Sequence, residues 1–475
     1  MKGIRYAAVT GVAAASIFGF SQLAHAGTND VQEIKHLLTE TALEMNIPPE
    51  VLKAIAYKEN KEFAHFDENG DVIISDDGGI GLMQLTFQPG EIEQYNIDMD
   101  RIKNDIDYHI EEAAKMLKRK TELNLPTVNG GTPEEIESWY FSVMAYNGLS
   151  EINDPNNHDD AYQEVVYDYI RNYSIMPGIG ETPELDINYD EDSLIMKFGD
   201  RDYEWPTQTR SSQMFREGDV TYSYNDHEGF GGSNVRTQPI NGDLVETIGH
   251  YTPLEVISGP YEAAGHANHY VFYEVKGNFG EGYIASSNLQ LGNDLTIFSD
   301  LNGETEQAVA YLQHRGIING YEDGTFRPLT ELKRHQAAAL VVRAFDLEKP
   351  ADYQAKASDL TPDTFGYENL AIMEYHGYMG QGGKMNASAA LNRSQMANIL
   401  NRVFNDYYEQ PASEVKIKDV GANEVIYENI AALVHNDITV ANEDRAFNPW
   451  NTVMRSHYAL FFERSVRLME EKLGK

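Results

Sequence analysis

Three stretches in the last third of this 475-residue chain repeat one pattern, and that repetition narrows the possible folds more than any other feature. Phe298-Ser-Asp300-Leu, Ala357-Ser-Asp359-Leu and Ile417-Lys-Asp419-Val open three units, with the Asp positions 59 and 60 residues apart. Each continues into a helix-like run: Ala308 to Arg315, Leu370 to His376 and Ile430 to Asn436. A Gly/Asn/Asp-rich turn follows, then a second helix carrying Arg334, Arg393 or Arg455. Another arginine recurs nine residues later, at Arg343, Arg402 and Arg464. A fixed period with matching charged positions is the signature of a repeat architecture. The expectation is a triplicated α-helical unit over residues 296–350, 355–408 and 415–475.

Upstream, residues 1–26 read as a secretory signal peptide. Lys2 and Arg5 precede an apolar stretch from Ala7 to Phe20, and Ala24-His25-Ala26 forms an A-x-A cleavage site. No later stretch approaches the roughly 20 apolar residues of a spanning helix, so no membrane is expected as a partner of the mature chain. There is no cysteine, which removes thiol nucleophiles and Cys-based zinc sites and fits a Gram-positive-type exterior. Loss of Lys2 and Arg5 would take the formal charge from −38 to −40, which argues against nucleic acid as a partner. Residues 27–295 hold 50 acidic against 17 basic side chains, and residues 296–475 hold 25 against 18. That shift suggests parts with different partners.

Residues 27–177 read as mainly helical. Asp30 caps a first helix, Pro48-Pro49 opens a second running to about Phe63, a third covers about Asp107 to Lys120, and the box Thr132-Pro-Glu-Glu135 opens a fourth that stops at Gly148. Residues 178–215 are acidic and interrupted by Pro and Gly, a linker or extension. Residues 216–292 alternate in short runs such as Val271-Phe-Tyr-Glu-Val275 and form a small all-β domain.

In the second helix Leu52, Ile55, Ala56, Glu59 and Phe63 lie near one face. A carboxyl on an apolar face near a helix C-terminus should have a raised pKa and could serve as a general acid. The alternative is an exposed or lysine-paired glutamate. Asp67-x-Asn69-x-Asp71 starts like a calcium loop but lacks Gly at its sixth and Glu at its twelfth position, so Asn69-Gly70 is read as a hairpin turn.

The segments Ala54-Ile-Ala-Tyr-Lys-Glu59-Asn, Gly79-Ile-Gly-Leu-Met-Gln84 and Met144-Ala-Tyr-Asn147-Gly follow one another in order. Together they resemble the soluble lytic transglycosylases, relatives of goose-type lysozyme, over about residues 32–175. The resemblance implies a lysozyme-like, mainly α catalytic domain acting on the β-1,4 bond between N-acetylmuramic acid and N-acetylglucosamine. Glu59 would be the single acid/base. Asn60, Gln84, Tyr146, Asn147 and Tyr169 would hold substrate. Asn60 departs from the family's usual Ser, and Asp76 or Asp77 could position water and favour hydrolysis.

Asn234-Val-Arg through Gly282-Tyr-Ile-Ala-Ser-Ser-Asn-Leu289 resembles a bacterial SH3-like barrel, with His269-Tyr270 near the place of the family's usual Trp. Gly316-Ile-Ile-Asn-Gly-Tyr-Glu-Asp-Gly-Thr-Phe-Arg-Pro328 resembles the central turn of S-layer-homology (SLH) domains. That resemblance implies three repeats in a pseudo-threefold arrangement binding an anionic, often pyruvylated, secondary wall polysaccharide through Arg334, Arg393 and Arg455. The alternative is that these arginines only pair with acids between repeats. The whole reads as a multidomain α+β protein, secreted and held at the cell wall or S-layer, that cleaves peptidoglycan as a lytic transglycosylase. A hydrolytic muramidase, or a non-catalytic S-layer-associated glycan-binding protein, is the alternative. No metal or organic cofactor is implied.

Overall fold

The computed structural model describes residues 30–190, 194–225, 232–380 and 383–474. The signal-peptide reading of residues 1–26 lies outside them. Asp30 accepts from the backbone N–H groups of Gln32 and Glu33 (2.9 and 3.1 Å) and starts α1 (Val31–Glu44). Pro49 occupies the first position of α2 (Pro49–Glu59). Short helices α3 (Glu91–Tyr95) and α4 (Met99–Asn104) lead into α5 (Ile106–Thr121), then α6 (Tyr140–Asn147) and α7 (Tyr162–Tyr173).

Helix α2 ends four residues before the Phe63 that periodicity suggests. Asn60 leaves the helical region, and its Oδ1 accepts from the N–H groups of Glu62 and Ala64 (3.0 and 3.4 Å). A side chain that satisfies backbone donors in this way competes with helix continuation. Glu59 is therefore the last helical residue. The fourth helix also begins later than its capping box suggests. Thr132 and Glu135 close a turn (Thr132 N to Glu135 Oε2, 3.1 Å), and α6 starts only at Tyr140.

Residues 178–215 extend the helical body. Strands β1 (Thr127–Val128) and β4 (Asp202–Tyr203) pair in parallel, and β2 (Ile187–Tyr189) pairs with β3 (Met196–Phe198). Ile179, Leu185, Met196, Tyr203 and Trp205 are buried in the same core as α1, α2, α5, α6 and α7. Acidic composition hid these widely spaced apolar anchors.

Seven strands make one antiparallel sheet: β5 (Val220–Ser223), β6 (Ser233–Arg236), β7 (Leu244–Ile248), β8 (Pro253–Glu262), β9 (Val271–Gly277), β10 (Gly280–Ala285) and β11 (Leu289–Leu291). Their spatial order is β11-β5-β8-β9-β10-β6-β7. The sheet covers a polar face of the helical body. Lys53 and Glu262 pair at 3.1 Å, both out of water, and Thr39 donates to the same carboxylate. Lys35, also buried, donates to the carbonyls of Ala263, Gly265 and Asn268. Glu50 accepts from Ser211 Oγ (2.7 Å) and from the Ser212 N–H (2.9 Å).

The three sequence repeats become three helix pairs: α8 (Gly303–His314) with α9 (Arg334–Phe345), α10 (Tyr367–Tyr375) with α11 (Arg393–Val403), and α12 (Tyr427–His435) with α13 (Arg455–Leu473). Leu332 N–H donates to Val453 O, Val453 N–H to Leu391 O and Leu391 N–H to Leu332 O, at 2.8, 2.8 and 3.0 Å. This ring of buried residues joins the pairs in a cycle. Tyr222 and Tyr251 of the sheet region stack on each other, and Tyr251 meets α8 through Tyr311.

Removing one partner of a buried pair leaves the other charge uncompensated. Glu262→Gln is expected to lower unfolding free energy by about 3 kcal/mol or more, measured by chemical denaturation. A loss below about 0.5 kcal/mol, the range of an exposed pair, would contradict the burial of Lys53.

Candidate active site

Glu59 is half-buried at the C-terminal end of α2. Tyr162, at the start of α7, donates its hydroxyl to Glu59 Oε1 at 2.5 Å. Desolvation raises the Glu59 pKa above the usual carboxylate value; the Tyr162 hydrogen bond and the nearby Lys58 ammonium oppose this, and Asp77 adds to the rise. The net effect favours a proton on Glu59, the state a general acid needs. Tyr146 lies nearly parallel to Tyr162 (centroids 6.5 Å apart, 21°) and donates to the Met83 carbonyl at 3.0 Å. A chain of contacts thus runs from Glu59 through Tyr162 and Tyr146 to the Gly79–Leu85 segment.

Two buried histidines hold that segment. His65 Nδ1 accepts from the Leu82 N–H (3.2 Å), and His109 Nε2 accepts from the Met83 N–H (3.1 Å). Their other ring nitrogens face the carbonyls of Lys103 and Ile102 (3.1 and 3.0 Å). Each ring must accept on one side and donate on the other, so each is neutral. Burial drives both pKa values down, His109 to about 3. Gly81 has φ +64°, and a Cβ there would lie 2.3 Å from the His65 ring, so the backbone approaches as closely as it does only because Gly occupies this position.

The other expected residues divide. Gln84, half-buried with φ +47°, turns its Nε2 back to the Gly81 carbonyl (2.7 Å). Asn147 is exposed at the end of α6, and its Oδ1 accepts from Asn153 at 2.9 Å. Asn60 is absorbed in its own turn, since its Nδ2 donates to the Ala64 carbonyl (3.0 Å) as its Oδ1 accepts. Tyr169 lies two turns along α7 from Tyr162, against Tyr57 and Tyr173. Asp76 and Asp77 are exposed, and Ser75 donates to Asp77. Asn69-Gly70 makes the expected turn, closed by a Phe66–Val72 bridge. Sequence reasoning missed Tyr162, Asn153, His65 and His109. Only Tyr162 carried a signal, its seven-residue spacing from Tyr169 on one helix face.

His269, singled out in the sequence of the β region, is buried against Tyr57, Phe63 and Tyr173. It serves the junction with the helical body.

In the repeats, Asp300, Asp359 and Asp419 each accept two successive backbone N–H groups from their own unit's turn: Phe326 and Arg327, Met385 and Asn386, Phe447 and Asn448. The arginines reach the next unit. Nε of Arg334 donates to Met385 O, of Arg393 to Phe447 O and of Arg455 to Phe326 O, at 2.6, 2.6 and 2.9 Å. Their first partners are thus carbonyls rather than the acids one alternative supposed. Arg455 also spends Nη2 on Asn319 O (3.2 Å). The second arginine set donates within its own unit to the Ile317, Gly377 and Ile438 carbonyls, and Arg464 also pairs with Glu304 of the first unit at 3.5 Å. A cleft beside Arg393 is also lined by Arg445, Trp450, His457 and Arg464, and Trp450 is 68% exposed.

Residues 297–338 match the S-layer homology domain. Over 178 residues the chain is 28% identical to the Surface-layer 125 kDa protein of Lysinibacillus sphaericus, which covers 36% of this chain and 15% of that protein. Over 171 residues it is 25% identical to an S-layer protein of Bacillus thuringiensis subsp. finitimus, covering 35% of this chain and 21% of that one. The chain therefore spans about a fifth or less of the length of these relatives. The class these similarities define is that of cell-wall and S-layer-associated proteins carrying an S-layer homology domain. No helix among the described residues is long and apolar enough to cross a membrane.

The depressed histidine pKa values have a direct consequence. Between pH about 3 and 6.5 the unfolded chain binds a proton at His109 that the folded chain excludes. The contribution of His109 to stability is full above pH 6.5 and is lost as pH drops through that window. Melting temperature should decline from pH 6.5 to 4, and His109→Gln, which can still accept and donate, should flatten that decline. An equal slope in both proteins would remove His109 from the explanation.

Proposed function

We propose that this is a wall-anchored protein whose helical body binds peptidoglycan glycan and cleaves it with Glu59 as acid/base, a lytic transglycosylase rather than a hydrolase. The observation that carries the reading is the half-buried Glu59, with its raised pKa, hydrogen-bonded to Tyr162 beside the Tyr146–Met83 contact. Glu59 would protonate the bridging oxygen. As a carboxylate it would then take the proton of the muramoyl 6-hydroxyl as that oxygen attacks C1, leaving a 1,6-anhydro end. In the hydrolytic variant water replaces the 6-hydroxyl.

Glu59→Gln should abolish release of anhydro-muropeptides from purified peptidoglycan, read by mass spectrometry, while the protein stays folded. Wild-type activity should fall as pH rises past the raised Glu59 pKa, because the acid form is then lost. Reducing muramoyl ends would establish hydrolysis instead. Products of equal yield from wild type and variant would remove Glu59 from catalysis.

A second reading has its own support. Both relatives are named as S-layer proteins, and Asn60, beside Glu59, is absorbed in a local turn. On that reading the helical body holds glycan without cutting it. A folded wild type that binds glycan and yields no products would establish it.

For anchoring, we propose that all three helix pairs are S-layer homology units that together bind an anionic secondary wall polysaccharide. The repeated Asp and Arg contacts support this. So does the Arg393 cleft, where an exposed Trp450 can stack on sugar and guanidinium groups can meet carboxylates. The full chain should sediment with wall sacculi that retain secondary polymer and remain in solution with acid-stripped sacculi. Equal sedimentation with both would overturn the assignment.

A further inference from the structure

We infer that Asn153 is a positioning residue that turns the Asn147 amide so that its N–H groups face the ligand and meet an acceptor oxygen of the glycan. The inference rests on the reading of the Glu59 site as a glycan site. Asn153 ends the short 3-10 turn Glu151–Asn153 and is only 2% exposed. Two backbone groups determine the orientation of its amide. The Tyr162 N–H can only donate, and Asn153 Oδ1 accepts it at 3.3 Å. The Gly148 carbonyl can only accept, and Asn153 Nδ2 donates to it at 2.8 Å. The same Nδ2 donates to Asn147 Oδ1 at 2.9 Å.

An atom that faces a donor must be an acceptor. Asn147 therefore turns its carbonyl oxygen inward, and its Nδ2 is the end left for solvent or ligand. Asn147 is exposed, and its Nδ2 makes no hydrogen bond among the described residues. The groups that match two outward N–H donors are acceptor oxygens, which an N-acetylated glycan supplies as acetamido carbonyls and hydroxyls. Asn153 also holds the first residue of α7, and that residue is the tyrosine whose hydroxyl meets Glu59. One buried amide thus aligns the binding donor and the partner of the acid. A buried donor or acceptor left unpaired is costly, which keeps this orientation rigid.

The test uses the full chain with 15N-labelled asparagine. Asn153→Asp keeps an acceptor for the Tyr162 N–H but has no donor, so Asn147 should reverse and donate inward. In ligand-free protein the Asn147 side-chain amide hydrogens should exchange rapidly in wild type and become protected in N153D. With chitohexaose as probe, in the Glu59→Gln background, N153D should weaken binding roughly tenfold, the worth of one hydrogen bond. Asn147→Asp, at an exposed position, should do the same. A de-N-acetylated hexamer separates the sources: if it shows no difference between wild type and N153D, the acceptor is the acetamido carbonyl, and a retained difference assigns a hydroxyl. Unchanged amide exchange with unchanged binding would overturn the inference. If N153D does not fold, unchanged chitohexaose binding by N147D overturns it alone. Absence of glycan cleavage by wild type would count against the catalytic reading only, because amide exchange is read without ligand.

Discussion

The Lys53–Glu262 ion pair, out of water between α2 and the end of β8, sets the condition on which the rest of the molecule depends. Two charges can be desolvated only where each finds the other and further hydrogen bonds. Thr39 supplies one such bond to Glu262, while Lys35 satisfies its ammonium on three carbonyls nearby. Burial still pulls the Lys35 pKa down to about 8. Glu50, Lys53 and Tyr57 fall three and four residues apart, on one face of α2, and meet Ser211, Glu262 and His269 respectively. Leu52, Ile55 and Ala56 face the helical core. Helix α2 is therefore held on two sides, and its last residue, Glu59, is delivered to one place.

The repeats solve a different problem with a recurring device. Each turn after a first helix leaves two backbone N–H groups in need of acceptors, and one Asp carboxylate takes both. The carbonyl between them accepts the guanidinium of the preceding unit, and the third unit returns to the first. Asp and Arg recur at a matched spacing because these contacts recur. The guanidinium fork spends one N–H on the neighbour and has others to offer a ligand. On Arg455 a second is already committed to Asn319, which makes the three positions chemically unequal.

Much of the candidate site was legible because its contacts are local in sequence or carried by motifs. The position of Glu59 on an apolar stripe, the turn at Asn69-Gly70 and the stop at Gly148 all follow from spacing and residue type. The hydrophobic period carries α2 four residues beyond its actual end, because the Asn60 side chain decides where the helix stops. Tyr162 was passed over for Tyr169: both lie on one face of α7, and only the packing of α7 on α2 distinguishes the one that reaches Glu59. His65 and His109 read as unremarkable, because what they hold lies 17 and 26 residues away.

The sequence alone determined the threefold period, four of the helices of the N-terminal body, the alternating strands of residues 216–292 and the order of the site motifs, all of which rest on interactions within about one turn or one repeat. Tertiary structure alone decided that the acidic residues 178–215 join the helical core, that Glu50, Lys35 and Lys53 are buried rather than solvated, and that one face of the Asn147 amide is turned inward. The physical reason is the same in each case. A polar side chain reads as exposed until a partner far along the chain removes it from water, and nothing in the local pattern says where that partner lies.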